Sequence, residues 1–204
     1  MIRKALLTIV CLIFSFVVWA DAPITATVFW KAYKDLPIIK KATTTRELSK
    51  DMIVFFESDK NSIDKKVAII NALGVNYGGK RNSYVFYDFL EKKYGVKRSR
   101  NKFKKLCTGD ELLCVGYLEA MEDYFNSGMG RPMVRAALKK NKTSYTYNII
   151  LAILNAQADF NHNWCTAFHD VDKIRKNTKL VKDFRETGIK IIFDYFDSVK
   201  ENCD

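Results

Sequence analysis

The segment SYTYNIILAILNAQADF, residues 144–160, would be apolar around most of its circumference as a helix, above all from Ile149 to Leu154. A helix that is hydrophobic on every side lies in a protein core or in a membrane. The apolar run Ile149–Ala158 has ten residues, whereas a membrane-spanning helix needs roughly 20. We therefore predict that residues 144–160 form the central buried helix of the fold.

On both sides of this helix, apolar residues recur at helical spacing and are interrupted by glycine and capping residues. Few β-branched runs alternate with polar residues, and hairpin signals are absent. The predicted fold class is all-α, a single-domain bundle or stacked helical hairpins of about seven to eight helices. The other predicted helices are Thr45–Ser58, Asn61–Gly74, Asn82–Gly95, Asp110–Asn126, Met133–Lys140 and Thr178–Lys200.

Residues 21–44 are the least regular part of the chain, because Pro23 and Pro37 interrupt a helical pattern there. We expect an irregular N-terminal segment over this range and a helical domain over residues 45–204. Within that domain, Asn82 is expected to act as the N-cap of the helix that follows the Gly78-Gly79 loop.

The first 20 residues have the three parts of a signal peptide. Arg3 and Lys4 give a positive start, Ala5–Trp19 is apolar, and Val18–Ala20 is an acceptable cleavage site. The alternative is a retained membrane anchor, but the apolar run falls short of the roughly 20 residues of a spanning helix. We expect cleavage after residue 20 and an extracytoplasmic protein, secreted or periplasmic, that keeps 184 of the 204 residues.

Cleavage would remove Cys11 and leave four cysteines, an even number in an oxidising compartment. The favoured pairing is Cys107 with Cys114 and Cys165 with Cys203, and the two other pairings stay open. Straight antiparallel helices would hold Cys165 and Cys203 tens of Å apart. Their pairing therefore requires a break near residues 161–163 or a reorienting short helix at 170–176.

Residues 92–105, KKYGVKRSRNKFKK, hold eight cations and no anion. The formal net charge is +11, or +9 without Arg3 and Lys4, so this segment supplies most of the imbalance. Its functional interpretation is an electrostatic contact with an acidic or anionic partner, to which Tyr94 and Phe103 add stacking or membrane-interface contacts. The alternative is a solvated helix surface that aids solubility. The eight cations are Lys92, Lys93, Lys97, Arg98, Arg100, Lys102, Lys104 and Lys105.

Glu119, Glu122 and Asp123 form a tight carboxylate cluster on a predicted helix, and Glu119 and Glu122 share a face. Two carboxylates in distinct environments can perform acid–base hydrolysis. Charged residues at helical spacing more often form a solvated face. Together with His169, Glu119 and Glu122 are the acid–base candidates of the alternative function, a hydrolase that acts on an envelope polymer.

Two further motifs are set aside. The sequence GVNYGGKR, residues 74–81, has phosphate-loop spacing, but Arg81 stands where Ser or Thr should bind magnesium, and a helix precedes it. His162, Cys165 and His169 would share a helix face as zinc ligands, but an exported Cys165 is more often in a disulfide. We therefore predict no nucleotide, no metal and no other cofactor.

The function predicted from the sequence is binding. The contact surface is residues 92–105, and the partner is an acidic protein or an anionic envelope component, with peripheral membrane contact as one form. An immunity-type inhibitor that masks an acidic effector is a further form, offered by analogy. A binder should show a basic face without a deep polar pocket, whereas an enzyme should bring its acids together in a cleft with perturbed pKa values.

Overall fold

The computed structural model describes residues 22–75, 81–123, 128–159, 163–200 and Cys203. The expected signal peptide, residues 1–20, lies outside this part of the chain. The described part contains eleven α-helices, one 3₁₀ helix and no β-strand. The all-α prediction is therefore confirmed, and the expected count of seven to eight helices is too low.

Most of the helices are short, and the two longest have 15 residues each. In chain order they are α1 Pro23–Ala26, the 3₁₀ helix Phe29–Tyr33, α2 Pro37–Thr45, α3 Lys50–Glu57, α4 Ile63–Leu73, α5 Asn82–Tyr94, α6 Arg100–Leu106, α7 Gly109–Glu122, α8 Arg131–Lys140, α9 Tyr145–Asp159, α10 Trp164–Lys176 and α11 Glu186–Lys200.

Helix α9 is the buried centre that the sequence predicts. It packs against α1, α7, α8 and α10, and Ile149, Ile150, Ile153 and Leu154 have no exposed surface. These contacts on several sides explain why the helix lacks a polar face. Of the helices in the described ranges, none combines the length and the apolar character needed to cross a membrane.

Residues 21–44, expected to be irregular, contain α1, the 3₁₀ helix and most of α2. Pro23 and Pro37 each stand in the first turn of a helix. Proline is well tolerated there because the first N–H groups of a helix have no intrahelical acceptor. The single helix expected over residues 45–58 is interrupted, because Arg46 adopts a left-handed backbone with φ 52° and ends α2.

Asn82 does not act as the expected N-cap, since it is the first helical residue of α5. Its side-chain amide instead fixes the turn between α2 and α3. The Oδ1 atom accepts a hydrogen bond from the N–H of Leu48 at 2.8 Å, and Nδ2 donates to the carbonyl of Arg46 at 3.0 Å. The expected N-cap is therefore wrong, and the partners of Asn82 lie in another part of the chain.

The last helix begins at Glu186 rather than at Thr178. The segment before it caps the central helix instead. The carboxylate of Asp183 accepts hydrogen bonds from Ser144 Oγ at 2.5 Å and from the N–H of Thr146 at 2.8 Å. These bonds satisfy donors in the first turn of α9 that have no partner within the helix.

Cys165 and Cys203 are placed for a disulfide, with Cα atoms 5.1 Å apart, which is within the usual range. Because α9 ends at Asp159 and α10 begins at Trp164, Cys165 lies in the first turn of α10. Cys203 follows the end of α11, and α10 and α11 pack against each other. The two cysteines are therefore not held tens of Å apart, as two straight antiparallel helices would hold them.

Cys107 and Cys114 are free and buried thiols, so the second expected disulfide is not formed. Cys107 is the C-cap of α6, and Cys114 lies six residues after Thr108, the N-cap of α7. At about 1.5 Å of rise per residue, this spacing exceeds the roughly 7 Å that a disulfide can bridge between Cα atoms. Burial raises the pKa of the Cys107 thiol to about 12 and that of Cys114 well above its ordinary value.

Two glycines allow α8 to approach α7 closely. A Cβ atom on Gly130 would lie 2.0 Å from the carbonyl oxygen of Gly116, and one on Gly116 would lie 2.8 Å from the carbonyl oxygen of Gly130. Neither position can therefore carry a side chain without moving a helix. This contact sets the place of α8, which contributes to the site described next.

Candidate functional site

The basic segment 92–105 forms the end of α5, a turn and α6. Gly95 ends α5 with a left-handed backbone, φ 63°, and Ser99 caps α6 by accepting a hydrogen bond from the N–H of Lys102. Phe103 is fully buried, with its ring centroid 5.5 Å from that of Tyr87. The expectation that Phe103 stacks on a partner is therefore wrong, and the ring instead anchors α6 to the protein.

Three of the eight cations are neutralised by carboxylates from other helices. The pairs are Lys93 with Glu57 and Glu111, Arg98 with Asp88, and Arg100 with Glu119. The other five make no ion pair with a described residue, and four of them are exposed while Lys104 is half-buried. These five are Lys92, Lys97, Lys102, Lys104 and Lys105. The segment contains no acidic residue, but in the folded protein carboxylates from outside the segment neutralise three of its eight cations.

Helix α8 contributes a second group of cations that the sequence analysis did not single out. Arg135, Lys139 and Lys140 are exposed on it, and none of them pairs with a carboxylate in the described ranges. The signal was present in the sequence, because no Asp or Glu occurs from Gly128 to Ala158. Helix α9, which is strongly hydrophobic, occupies the second half of that range, so the acid-free cations lie in its first half.

A lysine joins α8 to α6. Lys140 Nζ donates a hydrogen bond to the carbonyl of Cys107 at 2.5 Å and approaches that of Lys105 at 3.5 Å. A cation is favoured beside the last carbonyl groups of a helix, where the partial charge is negative. The two acid-free helices consequently lie side by side. We call their accessible, unpaired cations the basic surface; they are Lys102, Lys104, Lys105, Arg135 and Lys139.

A cleft of about 520 Å³ lies beside the start of α6, between α5 and α7. This volume is within the roughly 300–1,000 Å³ range of small-molecule sites. Arg98 and Arg100 of the basic segment line the cleft, as do Glu119 and Glu122. The structure thus brings together residues that the sequence analysis assigned to two different functions.

Aromatic rings fix two arginines at the cleft. The guanidinium carbons of Arg81 and Arg98 lie 5.1 and 4.5 Å from the ring centroid of Tyr84. Arg98 also lies 5.0 Å from the ring centroid of Tyr87, and Arg81 Nη1 donates to the Tyr84 hydroxyl at 3.1 Å. Such contacts hold a guanidinium in place without neutralising its charge. Arg81 is exposed and has no ion pair with a described carboxylate.

Glu119 is almost buried at the cleft, with a side chain that is 10% exposed. Its Oε1 atom accepts hydrogen bonds from the Tyr87 hydroxyl at 3.0 Å and from Arg100 Nη2 at 2.6 Å. Its Oε2 atom is buried and has no hydrogen-bond partner. Burial raises the pKa of the Glu119 carboxyl, although Arg100 and Tyr87 partly oppose this rise.

Glu122 has an evident structural role. Its two oxygens accept hydrogen bonds from the N–H and the hydroxyl of Ser83, both at 2.6 Å. Ser83 lies in the first turn of α5, so Glu122 on α7 caps α5 from outside. Burial raises the pKa of the Glu122 carboxyl, and the hydrogen bonds from Ser83 partly offset this effect.

His169 does not line the cleft. His169 is exposed on α10, where its ring lies 5.5 Å from that of Phe168. His162 lies outside the described residues, and Cys165 is placed for a disulfide. In the residues open to description, no cluster of three or more His, Cys, Asp or Glu could hold a metal.

The segment with phosphate-loop spacing is divided between two structural roles. Gly74 ends α4 with φ 64°, and its N–H donates to the carbonyl of Ile70. Arg81 precedes α5 and lines the cleft. Residues 76–80 lie outside the described part of the chain. The helix end expected at Gly74 is present.

Comparison with protein-family models, curated proteins and solved structures finds no match to this chain.

Proposed function

We propose that this chain is an exported helical binding protein that contacts an acidic protein or an anionic envelope component through the basic surface. One observation carries the proposal: two acid-free helices, α6 and α8, are joined by Lys140 and hold five accessible cations without carboxylate partners. Like charges on neighbouring helices repel each other in the free protein. An anionic partner that binds there would relieve this repulsion, and its binding would be strengthened by attraction to the same cations.

The neutralised cations support the same proposal by contrast. Lys93, Arg98 and Arg100 are each paired with carboxylates of other helices, and they serve the packing of α5, α6 and α7. In the described ranges, no Asp or Glu forms an ion pair with a cation of the basic surface. An immunity-type inhibitor and a protein that binds an anionic membrane or glycan surface are the two forms of this proposal.

A charge-reversal experiment distinguishes binding through the basic surface from binding that depends only on the net charge of the protein. The test variant carries K102E, K105E, R135E and K139E. The control variant carries K40E, K60E, K179E and K182E, four exposed lysines outside the basic surface. Both variants have the same net charge. Each is applied to an immobilised sulfated polysaccharide and eluted with a salt gradient.

The test variant should elute at clearly lower salt than the control variant. At about 1 kcal/mol per cation near an anionic surface, four reversals should weaken binding by more than about 100-fold. Identical elution of the two variants would show that net charge alone governs retention, and it would contradict the proposal. A pull-down from the envelope or secreted fraction at low and moderate salt, with the same two variants, then identifies the partner.

A second candidate function is a hydrolase that acts on an envelope polymer. Glu119 and Glu122 line one cleft, and burial raises both of their pKa values, which is the arrangement required of acid–base residues. Glu119 is the better acid, because both oxygens of Glu122 are occupied by Ser83. The test is release of reducing ends from acidic glycans. Activity that E119Q abolishes would favour the hydrolase, and no activity of the unmodified protein would exclude these substrates.

A further inference from the structure

The cleft contains cationic groups that suit a carboxylate. Arg81 is exposed and is held by the hydroxyl of Tyr84. Arg98 stacks on Tyr84 and Tyr87 and is anchored to Asp88, yet its Nε atom is buried without a hydrogen-bond partner. A guanidinium presents several N–H donors in one plane and binds a planar carboxylate in a bidentate manner. Two such groups thus line the cleft.

Carboxyl groups also line the cleft. Glu119, Glu122 and Asp123 line it, and Oε2 of Glu119 is a buried oxygen without a partner. Buried polar atoms in proteins are normally satisfied by a hydrogen bond. Three arginines and three carboxyl groups line the cleft; this balance favours a ligand with a single negative charge over a compact polyanion such as phosphate, and the carboxyl oxygens can accept hydrogen bonds from hydroxyl donors. The ligand should therefore combine one anionic group with several hydroxyls.

The cleft also has large exposed side chains. Tyr84 is 47% exposed and Met129 is 50% exposed, and both line the cleft. The ring of Tyr84 already contacts Arg81 and Arg98, so Met129 is the apolar side chain suited to the C–H face of a sugar ring. The volume of about 520 Å³ suits a small ligand.

We propose that the cleft binds an acidic sugar, with its carboxylate on Arg81, beside the ion-paired Arg98, and its hydroxyl groups directed at the carboxyl groups that line the cleft. This site goes beyond the basic surface and does not depend on it. A sugar acid is the ligand class that uses the arginines, the carboxyl groups and the exposed Met129 of the cleft at once. No chemical step is implied, because the proposal concerns binding.

Isothermal titration of the mature chain with D-glucuronate is the direct test. D-glucose, which has the hydroxyls without the carboxylate, and inorganic phosphate are the comparison ligands. We expect D-glucuronate to bind in the millimolar range or tighter, and we expect D-glucose and phosphate to bind at least about tenfold more weakly. Failure of D-glucuronate to bind at about 10 mM would overturn the proposal.

Two variants locate the site. R81Q removes an exposed cation whose only described hydrogen bond is to Tyr84, so the fold should persist, and D-glucuronate should bind at least about tenfold more weakly. K105Q, on the basic surface, is the matched control and should leave D-glucuronate binding unchanged. Binding by R81Q equal to that of the unmodified protein would contradict the carboxylate assignment.

Two further outcomes would contradict the ligand class. Equal affinity for D-glucose and D-glucuronate would remove the role of the arginines, and phosphate binding as tight as that of D-glucuronate would indicate a simple anion site. Because the variants of the two sites do not overlap, loss of polyanion binding in the basic-surface variant and loss of sugar binding in R81Q report separate failures.

Discussion

The ammonium group of Lys140 donates a hydrogen bond of 2.5 Å to the carbonyl oxygen of Cys107. This bond joins the end of α8 to the end of α6, the two helices that carry the basic surface. Lys140 thereby brings its own positive charge next to Lys105, whose carbonyl it also approaches. The favourable interaction of the Lys140 ammonium group with the C-terminal carbonyl groups of α6 offsets the repulsion between the two cationic helices.

Replacement of Lys140 should loosen this junction. We expect K140M to lower the free energy of unfolding by about 1 kcal/mol, because a charge-assisted hydrogen bond is lost at a solvent-exposed site. The measurement is urea denaturation. K139M is the control, since Lys139 is an exposed neighbour outside this junction, and it should change stability by less than about 0.5 kcal/mol. Equal effects of the two substitutions would contradict the role given to Lys140.

The thiol count of a chain that begins at Asp21 tests the cysteine assignment. Denatured protein without reductant should show two free thiols, those of Cys107 and Cys114, and reduced protein should show four. In the native protein both thiols should react slowly, because they are buried and burial raises their pKa values. A count of zero without reductant would mean that the second disulfide forms after all.

Loss of the disulfide between Cys165 and Cys203 should be costly. The two residues are 38 positions apart, and the chain-entropy model gives about 4 kcal/mol for a loop of this length. The double variant C165S/C203S should lose about this much stability in denaturant unfolding. An unchanged midpoint would show that the two sulfurs do not pair in solution.

Glu111 should stabilise the protein in a pH-dependent manner. Burial raises the pKa of its carboxyl, but hydrogen bonds from Lys93, Tyr94 and Thr108 outweigh this, and the pKa lies below its ordinary value of 4.5. The resulting stability is present above the unfolded-state pKa and is lost as the pH falls through the lowered folded-state pKa. E111Q should therefore cost about 2 kcal/mol at neutral pH and progressively less in acid.

Glu57 is the matched control, because it also pairs with Lys93. Burial raises the pKa of the Glu57 carboxyl despite its hydrogen bond with Lys93. Its contribution should therefore have the opposite sign: it is present below the unfolded-state pKa and lost as the pH rises through the folded-state pKa. The free energy of unfolding of the unmodified protein, relative to that of E57Q, should rise as the pH falls. Urea denaturation across pH measures this difference. The same trend for both variants would contradict these assignments.

The sequence predicted those parts of the fold that depend on local pattern. The burial of α9 follows from a segment with no polar face, and the end of α4 at Gly74 follows from one glycine. The N-terminal helices were missed because Pro23 and Pro37 can start a helix as well as interrupt one. The start of α11 was misplaced because the preceding segment is recruited by Ser144 and Thr146 through Asp183, a contact between distant parts of the chain.

The sequence identified many residues of the candidate site, but it did not predict how they are arranged. The eight cations of residues 92–105 are plain in the sequence, whereas the neutralisation of Lys93 requires Glu57, which comes from α3. Helical spacing placed Glu119 and Glu122 on one face, but it could not reveal that Arg100 would meet Glu119. Long-range packing makes these pairs, and it also forms the cleft.

Amide hydrogen exchange of the mature chain, with and without a bound sulfated polysaccharide, tests the basic surface most directly. We expect the polysaccharide to slow exchange in peptides that cover residues 97–107 and 131–142, which include α6 and α8. Peptides that cover α10 and α11 should exchange at unchanged rates. Protection confined to other parts of the chain, with residues 97–107 and 131–142 unaffected, would contradict the account.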